Sequence, residues 1–295
     1  LLQDISRAKE YFFMSKVAIV TDSVAYIPKE LLAQYNIRVA PQILVWDNET
    51  FLDGVDIEPT EFYIRLSKAK LMPCTSQVTP AMFYKIFNEI LEEGCDILAI
   101  PVSEKLSGTL TSAIQARKML HASNIEIFDS QSAGMAMGFQ VLEAARAAQA
   151  GASLAETKAV AENVRQHVGV VFAVDTLEFL HRGGRIGGGA RYLGTALNIK
   201  PILELREGRV EAVESVRTRK RSLARLIELV DERTKEKRPI HLAALHANAL
   251  CEATELLNTA NKTLGAVECL LSEVSPVVGT HTGPGTVGLA YMAGI

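Results

Sequence analysis

Cysteine is sparse in this chain and never clustered. Cys74, Cys95, Cys251 and Cys269 form no CxxC pair, which excludes a disulfide framework, a thiol–disulfide redox motif and a cysteine-built zinc site. Reduced, partly buried thiols in a reducing compartment follow, so the chain reads as cytoplasmic. Long apolar runs are missing as well: none approaches the ~18 to 20 residues needed to span a bilayer, and no integral membrane segment is expected. The stretch LLQDISRAKEYFF at the start mixes charges into its apolar residues and has no signal-peptide core. Met14-Ser15-Lys16 runs straight into a strand pattern, so residues 1–13 read as an upstream extension. A basic excess is absent too. Lys and Arg number 31 against 34 Asp and Glu, a net charge of -3, which argues against nucleic acid as a partner.

Several catalytic signatures are also missing. There is no GxxxxGK[ST] phosphate loop, no GxSxG elbow and no HExxH helix. His241 and His246 lie five apart on a strand pattern and point to opposite faces. Asp22, Asp53, Asp56 and Asp129 are scattered, without metal-ligand spacing. No metal and no cofactor are therefore expected. Gly283-Pro284-Gly285-Thr286-Val287-Gly288 formally matches GxGxxG, but the sequence stops at Ile295 with no βαβ unit after it, so a tight turn is the better reading.

What is present is a two-domain α/β pattern. At 295 residues and 48% hydrophobic the chain can bury a large core. Its first half alternates strands (Val17–Val20, Ile37–Trp46, Ile97–Ile100, Ile125–Phe128) with helices, which implies a parallel sheet covered on both faces. Thr79-Pro80 supplies an N-cap and N1 for a helix whose apolar stripe is Phe83, Ile86, Phe87, Ile90 and Leu91. The second half adds a hairpin, Ile202 to Val216, turning at Glu207-Gly208, among further helices and strands. A strand is also expected at Val277-Val278. The join falls near residues 151 to 168, dividing the chain into an N-terminal parallel α/β domain, 14–160, and a mixed α/β domain, 161–295.

Small hydroxyl residues follow each strand of the first half: Thr21-Asp22-Ser23, Ser103 with Ser107-Gly108-Thr109, and Asp129-Ser130. That edge is where open α/β sheets bind ligands. Ser107-Gly108-Thr109 opens a helix, whose free amides favour an anion. Thr75-Ser76-Gln77 offers further donors just before the Thr79 helix start. Ordinary capping explains any single one of these loops; their convergence is what suggests a site. Arg182-Gly183-Gly184-Arg185 adds two guanidiniums suited to a carboxylate or phosphate, and His281-Thr282 a donor pair beside the glycine turn. Hydroxyls, arginines and one histidine without an evident nucleophile fit anion holding better than catalysis.

VAIVTDS at 17–23, TSQVTP at 75–80, SxxLSGT at 103–109, FDS at 128–130, RGGRI at 182–186, VRTRK at 216–220 and HTGPG at 281–285 together resemble, in this order, the DegV family. The resemblance implies two α/β domains holding one long-chain fatty acid, such as palmitate or oleate, between them. It implies a carrier and not an enzyme. Thr75 and Ser107 would hold the carboxylate, with Ser76, Gly108, Thr109, Arg182, Arg185, His281 and Thr282 lining or supporting the site. It also implies that the acid is presented to a separate fatty-acid kinase, for which the basic run Arg217, Arg219 and Lys220 is the expected docking patch. A phosphotransfer enzyme acting on a small phosphorylated substrate stays open as the alternative, and so does a ligand-free interaction protein.

Overall fold

The computed structural model describes residues 16–192 and 199–295; the expected extension, residues 1–13, lies outside them. The first half begins with β1 (Val17–Asp22), α1 (Lys29–Gln34), β2 (Arg38–Ala40), β3 (Ile43–Trp46), β4 (Glu49–Leu52), α2 (Pro59–Leu66) and β5 (Cys74–Ser76). It continues through α3 (Pro80–Glu92), β6 (Asp96–Ile100), α4 (Thr109–Leu120), β7 (Ile125–Ile127), α5 (Met135–Gln149) and α6 (Leu154–Arg165). The second half opens with β8 (Val168–Ala173), α7 (Glu178–Arg182), β9 (Lys200–Arg206), β10 (Arg209–Val216) and α8 (Arg219–Thr234). It ends with β11 (Ile240–His246), α9 (Leu250–Leu264), β12 (Glu268–Glu273), α10 (Pro276–Thr282) and β13 (Val287–Ala293).

Strands β2-β1-β6-β7 form a four-stranded sheet, parallel throughout. The order β10-β9-β8-β13-β11-β12 forms a six-stranded mixed sheet, in which only β11 and β12 run parallel. Helix formation follows local chemistry. Thr79 Oγ1 accepts the Met82 N–H at 3.2 Å, Pro80 fills the first turn, and Phe83, Phe87 and Ile90 are buried, as their spacing demands. Ser153 and Glu156 close a reciprocal capping box on α6.

The two sheets share one core. Ile19, Leu98 and Ile100 of the first sheet pack in the same cluster as Phe139 and Leu142 of α5 and Val170, Ala243 and Ala290 of the second. Helix α5 is the layer between them, buried along most of its length. Burying a side chain such as Phe139 stabilises by roughly 1.5–3 kcal/mol. The β9–β10 turn completes the clasp: Ser103 donates to the Gly208 carbonyl at 2.9 Å and Lys105 Nζ to the Glu207 carbonyl at 2.8 Å.

Three expectations are corrected. The strand expected over 37–46 breaks at Pro41: β2 stays in the parallel sheet, while β3 leaves it to join β4 and β5 in an antiparallel three-stranded sheet. Proline has no N–H to continue a ladder. Val277 and Val278 lie in α10, not in a strand. Their β-branched pair reads as strand in isolation, but Pro276 at the first turn begins a helix there. Cys74, Cys251 and Cys269 are exposed rather than partly buried, and only Cys95 is intermediate. No helix among the described residues is long and apolar enough to cross a membrane.

Candidate functional site

A cavity of about 290 Å³ lies between the two sheets and the small antiparallel sheet. Its wall divides by chemistry. Gln42, Thr75, Ser76, Gln77, Ser107, Arg185 and His281 supply polar groups, whereas Phe172, Leu180, Leu205, Val210, Leu245, Val274 and Val277 are among its apolar lining.

Hydrogen bonds knit the polar wall together. Thr75 Oγ1, on β5, lies 2.8 Å from His281 Nε2, on α10. Burial, reinforced by the charge of Arg185, pushes the His281 imidazole down to about 4, so it is neutral at pH 7. Its Nδ1 is buried without a hydrogen-bond partner. An unpaired N–H there would cost more than a bare lone pair, which favours the tautomer with the proton on Nε2. His281 then donates to Thr75, which leaves the Thr75 hydroxyl proton free to donate to a ligand.

Arg185 is held by backbone. Its Nη1 donates to the Gly183 carbonyl at 2.6 Å and its Nε to the Leu106 carbonyl at 3.2 Å. Leu106 immediately precedes Ser107, so this guanidinium ties the arginine loop to the hydroxyl loop. Gly183 is required by close approach, since a Cβ there would collide with the His281 ring, whereas one on Gly108 would meet only the end of the Gln77 side chain. Ser107 Oγ lies 2.9 Å from Thr109 Oγ1, which receives Gln42 Nε2 at 3.0 Å.

Thr75, Ser76, Ser107, Gly108, Arg185, His281 and Thr282 thus converge on the cavity, as the sequence led us to expect. Two expected residues do not. Thr109 is wholly buried, with its Oγ1 hydrogen-bonded to Ser107 Oγ. Arg182 points away, exposed and paired with Glu178 at 2.5 Å; it sits in the last turn of α7, whose cavity side is taken by Leu180. The other hydroxyl loops are occupied by the fold: Thr21 donates to the Ile100 carbonyl at 2.9 Å and Ser130 to the Ser132 carbonyl at 3.2 Å. Gln42 was missed, and nothing around it in sequence marks it. The apolar wall was missed entirely. Among the described residues no cluster of His, Cys, Asp or Glu could hold a metal ion.

The arrangement is a largely apolar, partly open chamber with hydroxyl and amide groups and the Arg185 guanidinium at its polar wall. A sequence model described as "Uncharacterised protein, DegV family" matches residues 16–294. The chain belongs to the DegV family. It is 36% identical over 279 residues to a DegV domain-containing protein of Clostridium perfringens, covering 93% of this chain and 98% of that one. Among solved structures, a DegV family protein from Thermus thermophilus described by its fatty acid binding superposes with a TM-score of 0.89 at 34% identity, covering 94% of this chain and 99% of that one. DegV of Bacillus subtilis, described as a fatty acid binding protein, gives 0.86 at 33%, with 95% and 99% covered. A stearic acid-binding protein from Eubacterium ventriosum gives 0.85 at 25%, with 95% and 98% covered.

Proposed function

We propose that this protein is a carrier that binds one long-chain fatty acid, such as palmitate or oleate. The observation that carries the reading is the division of one cavity wall into a tied donor cluster and an apolar remainder. A buried carboxylate is costly unless hydrogen-bonded or paired. Thr75 and Ser107 would donate to it, with Ser76, the Gly108 backbone and the Arg185 charge on the same wall. Hydrogen bonds to an ionised acceptor are the strong ones. The acyl chain would lie along the apolar wall, gaining roughly 0.8 kcal/mol per buried CH₂. The head group therefore sets orientation and the tail sets most of the affinity. Competition between palmitate and a fluorescent fatty acid tests the reading: saturable one-to-one displacement supports it, and absence of displacement defeats it.

The carrier presents the bound carboxyl to a separate fatty-acid kinase and does no chemistry of its own. Docking by Arg217, Arg219 and Lys220 as one patch needs revision. Arg219 is spoken for, donating to Glu252 and to the Gly285 carbonyl at 2.6 Å each. Arg217 and Lys220 are exposed and are the pair we assign to docking. A phosphotransfer enzyme would require nucleotide binding, which isothermal titration with ATP and Mg²⁺ would detect.

A further inference from the structure

The small antiparallel sheet grips α10 at two points. Near the C-terminal end of the helix, Thr75 meets His281 at 2.8 Å. Near its N-terminal end, Asp53, the residue after β4, accepts the Val277 N–H at 3.2 Å across 224 positions of sequence. The helix lacks a side-chain cap of its own: Ser275, at its N-cap, makes no cap bond to the helix backbone. The second oxygen of Asp53 accepts the Ser23 hydroxyl at 2.6 Å, and Ser23 Oγ accepts the Gln42 N–H at 3.1 Å. Gln42 is bonded to Thr109, and Thr109 to Ser107. One chain of hydrogen bonds therefore runs from α10 to the hydroxyl loop, and Asp53 is its only charged member. Asp53 itself is 2% exposed and does not line the cavity.

We infer that Asp53 is a positioning residue whose carboxylate fastens α10, with Val277, Val278 and His281, to the strand bearing Thr75 and to the Ser107 loop, and so holds the cavity wall together around its ligand. The inference rests on the fatty-acid reading and adds a retention device to it. Asp53 has no salt-bridge partner among the described residues. The groups around it are Ser23, Ser275, Asp22, Tyr26, Tyr63 and Glu58, and Glu58 is itself taken by Lys29 at 2.7 Å. Burial pushes its carboxyl up to about 6, against the pull of Ser23, Ser275 and the Val277 amide. Such a charge costs the fold stability. Its gain is positional: a charged acceptor holds two donors from distant segments more firmly than a neutral one. Gly279 adds to the same contact, since it lets α10 settle against Phe62 and Tyr63 of α2.

The experiment is a stopped-flow measurement of fluorescent fatty-acid release from wild-type protein, Asp53→Asn, Asp53→Ala and Leu256→Ala. Leu256 lies in a separate core cluster and reports what general destabilisation does. The His281 ring resonances are followed by NMR in the same proteins. Asp53→Asn keeps the shape and removes the charge; it should speed release about tenfold and move the His281 resonances, whereas Leu256→Ala should do neither. Asp53→Ala should be faster still, and the conclusion stands on Asp53→Asn if the alanine variant does not fold. Unchanged release and unchanged His281 signals in folded Asp53→Asn would overturn the inference and leave the fatty-acid reading intact. Equal acceleration by Leu256→Ala would overturn it too. Failure of the wild type to take up the probe would instead overturn the fatty-acid reading itself.

Discussion

The polar wall of the cavity and its apolar wall are built in different ways. The polar wall comes from a few short segments locked by specific bonds: Thr75 to His281, Arg185 to the Leu106 carbonyl, Ser107 through Thr109 to Gln42. The apolar wall is assembled from single side chains on many elements, among them Phe172 on β8, Leu205 on β9, Val210 on β10, Leu245 on β11 and Val277 on α10. Directional bonds need fixed partners, whereas dispersion and the hydrophobic effect need only volume and area. The first wall should therefore be sensitive to the loss of one atom, and the second to the length of what it covers.

The largest expected effect lies on the apolar wall. Shortening the ligand from palmitate to laurate removes four methylenes, about 3 kcal/mol at roughly 0.8 kcal/mol each, so affinity should fall about 200-fold. Equal affinities in a competition titration would show that the wall does not read chain length. On the polar wall, Thr75→Ala and Ser107→Ala should each weaken binding about tenfold to a hundredfold, since hydrogen bonds to a charged group are worth about 1.5–3 kcal/mol. Thr75→Ser should be milder because the donor remains. Full affinity in both alanine variants would place the carboxylate elsewhere.

A smaller effect separates the two buried ionisable sites by pH. Asp53 is pushed up from 3.8 to about 6, so the folded state binds more protons than the unfolded state between those values, and its cost to stability is relieved as pH falls. His281 is pushed down from 6.5 to about 4. The unfolded state then binds more protons in that window, and stability is lost as pH falls. Between pH 7 and 5 each contribution amounts to about 1–2 kcal/mol, at 1.36 kcal/mol per pKa unit. Denaturant unfolding of Asp53→Asn should fall more steeply than wild type over that range, and that of His281→Gln less steeply. Parallel curves for all three proteins would refute the assignment. The smallest effects belong to residues outside the cavity. Arg182→Ala should leave fatty-acid affinity within twofold, a surface-residue effect, whereas Arg185→Ala should not. Charge reversal at Arg217 and Lys220 should spare affinity and slow acyl-phosphate formation by the kinase in a reconstituted assay.

The same contrast governs what could be read from sequence. Thr75, Ser107 and His281 sit in short motifs whose glycines and hydroxyls have local physical reasons, and they meet where expected. The parallel sheet and the Glu207-Gly208 hairpin were legible from periodicity and turn chemistry. Arg182 and Arg185 are three apart in one glycine-rich stretch, and sequence could not say which faces inward; the end of α7 at Arg182 decides it. Asp53 looked like one of several scattered aspartates, because its partners lie 30 and 224 positions away. The apolar wall was invisible for a related reason: a valine lining a cavity and a valine in the core have the same pattern, and only tertiary packing distinguishes them.

Mass spectrometry of the purified protein tests the central claim most directly. Measured under native and then denaturing conditions, the protein should carry one long-chain fatty acid per chain that is released on unfolding, and Thr75→Ala with Ser107→Ala should reduce that occupancy. Protein that carries none, and takes up none when palmitate or oleate is added, would contradict the account.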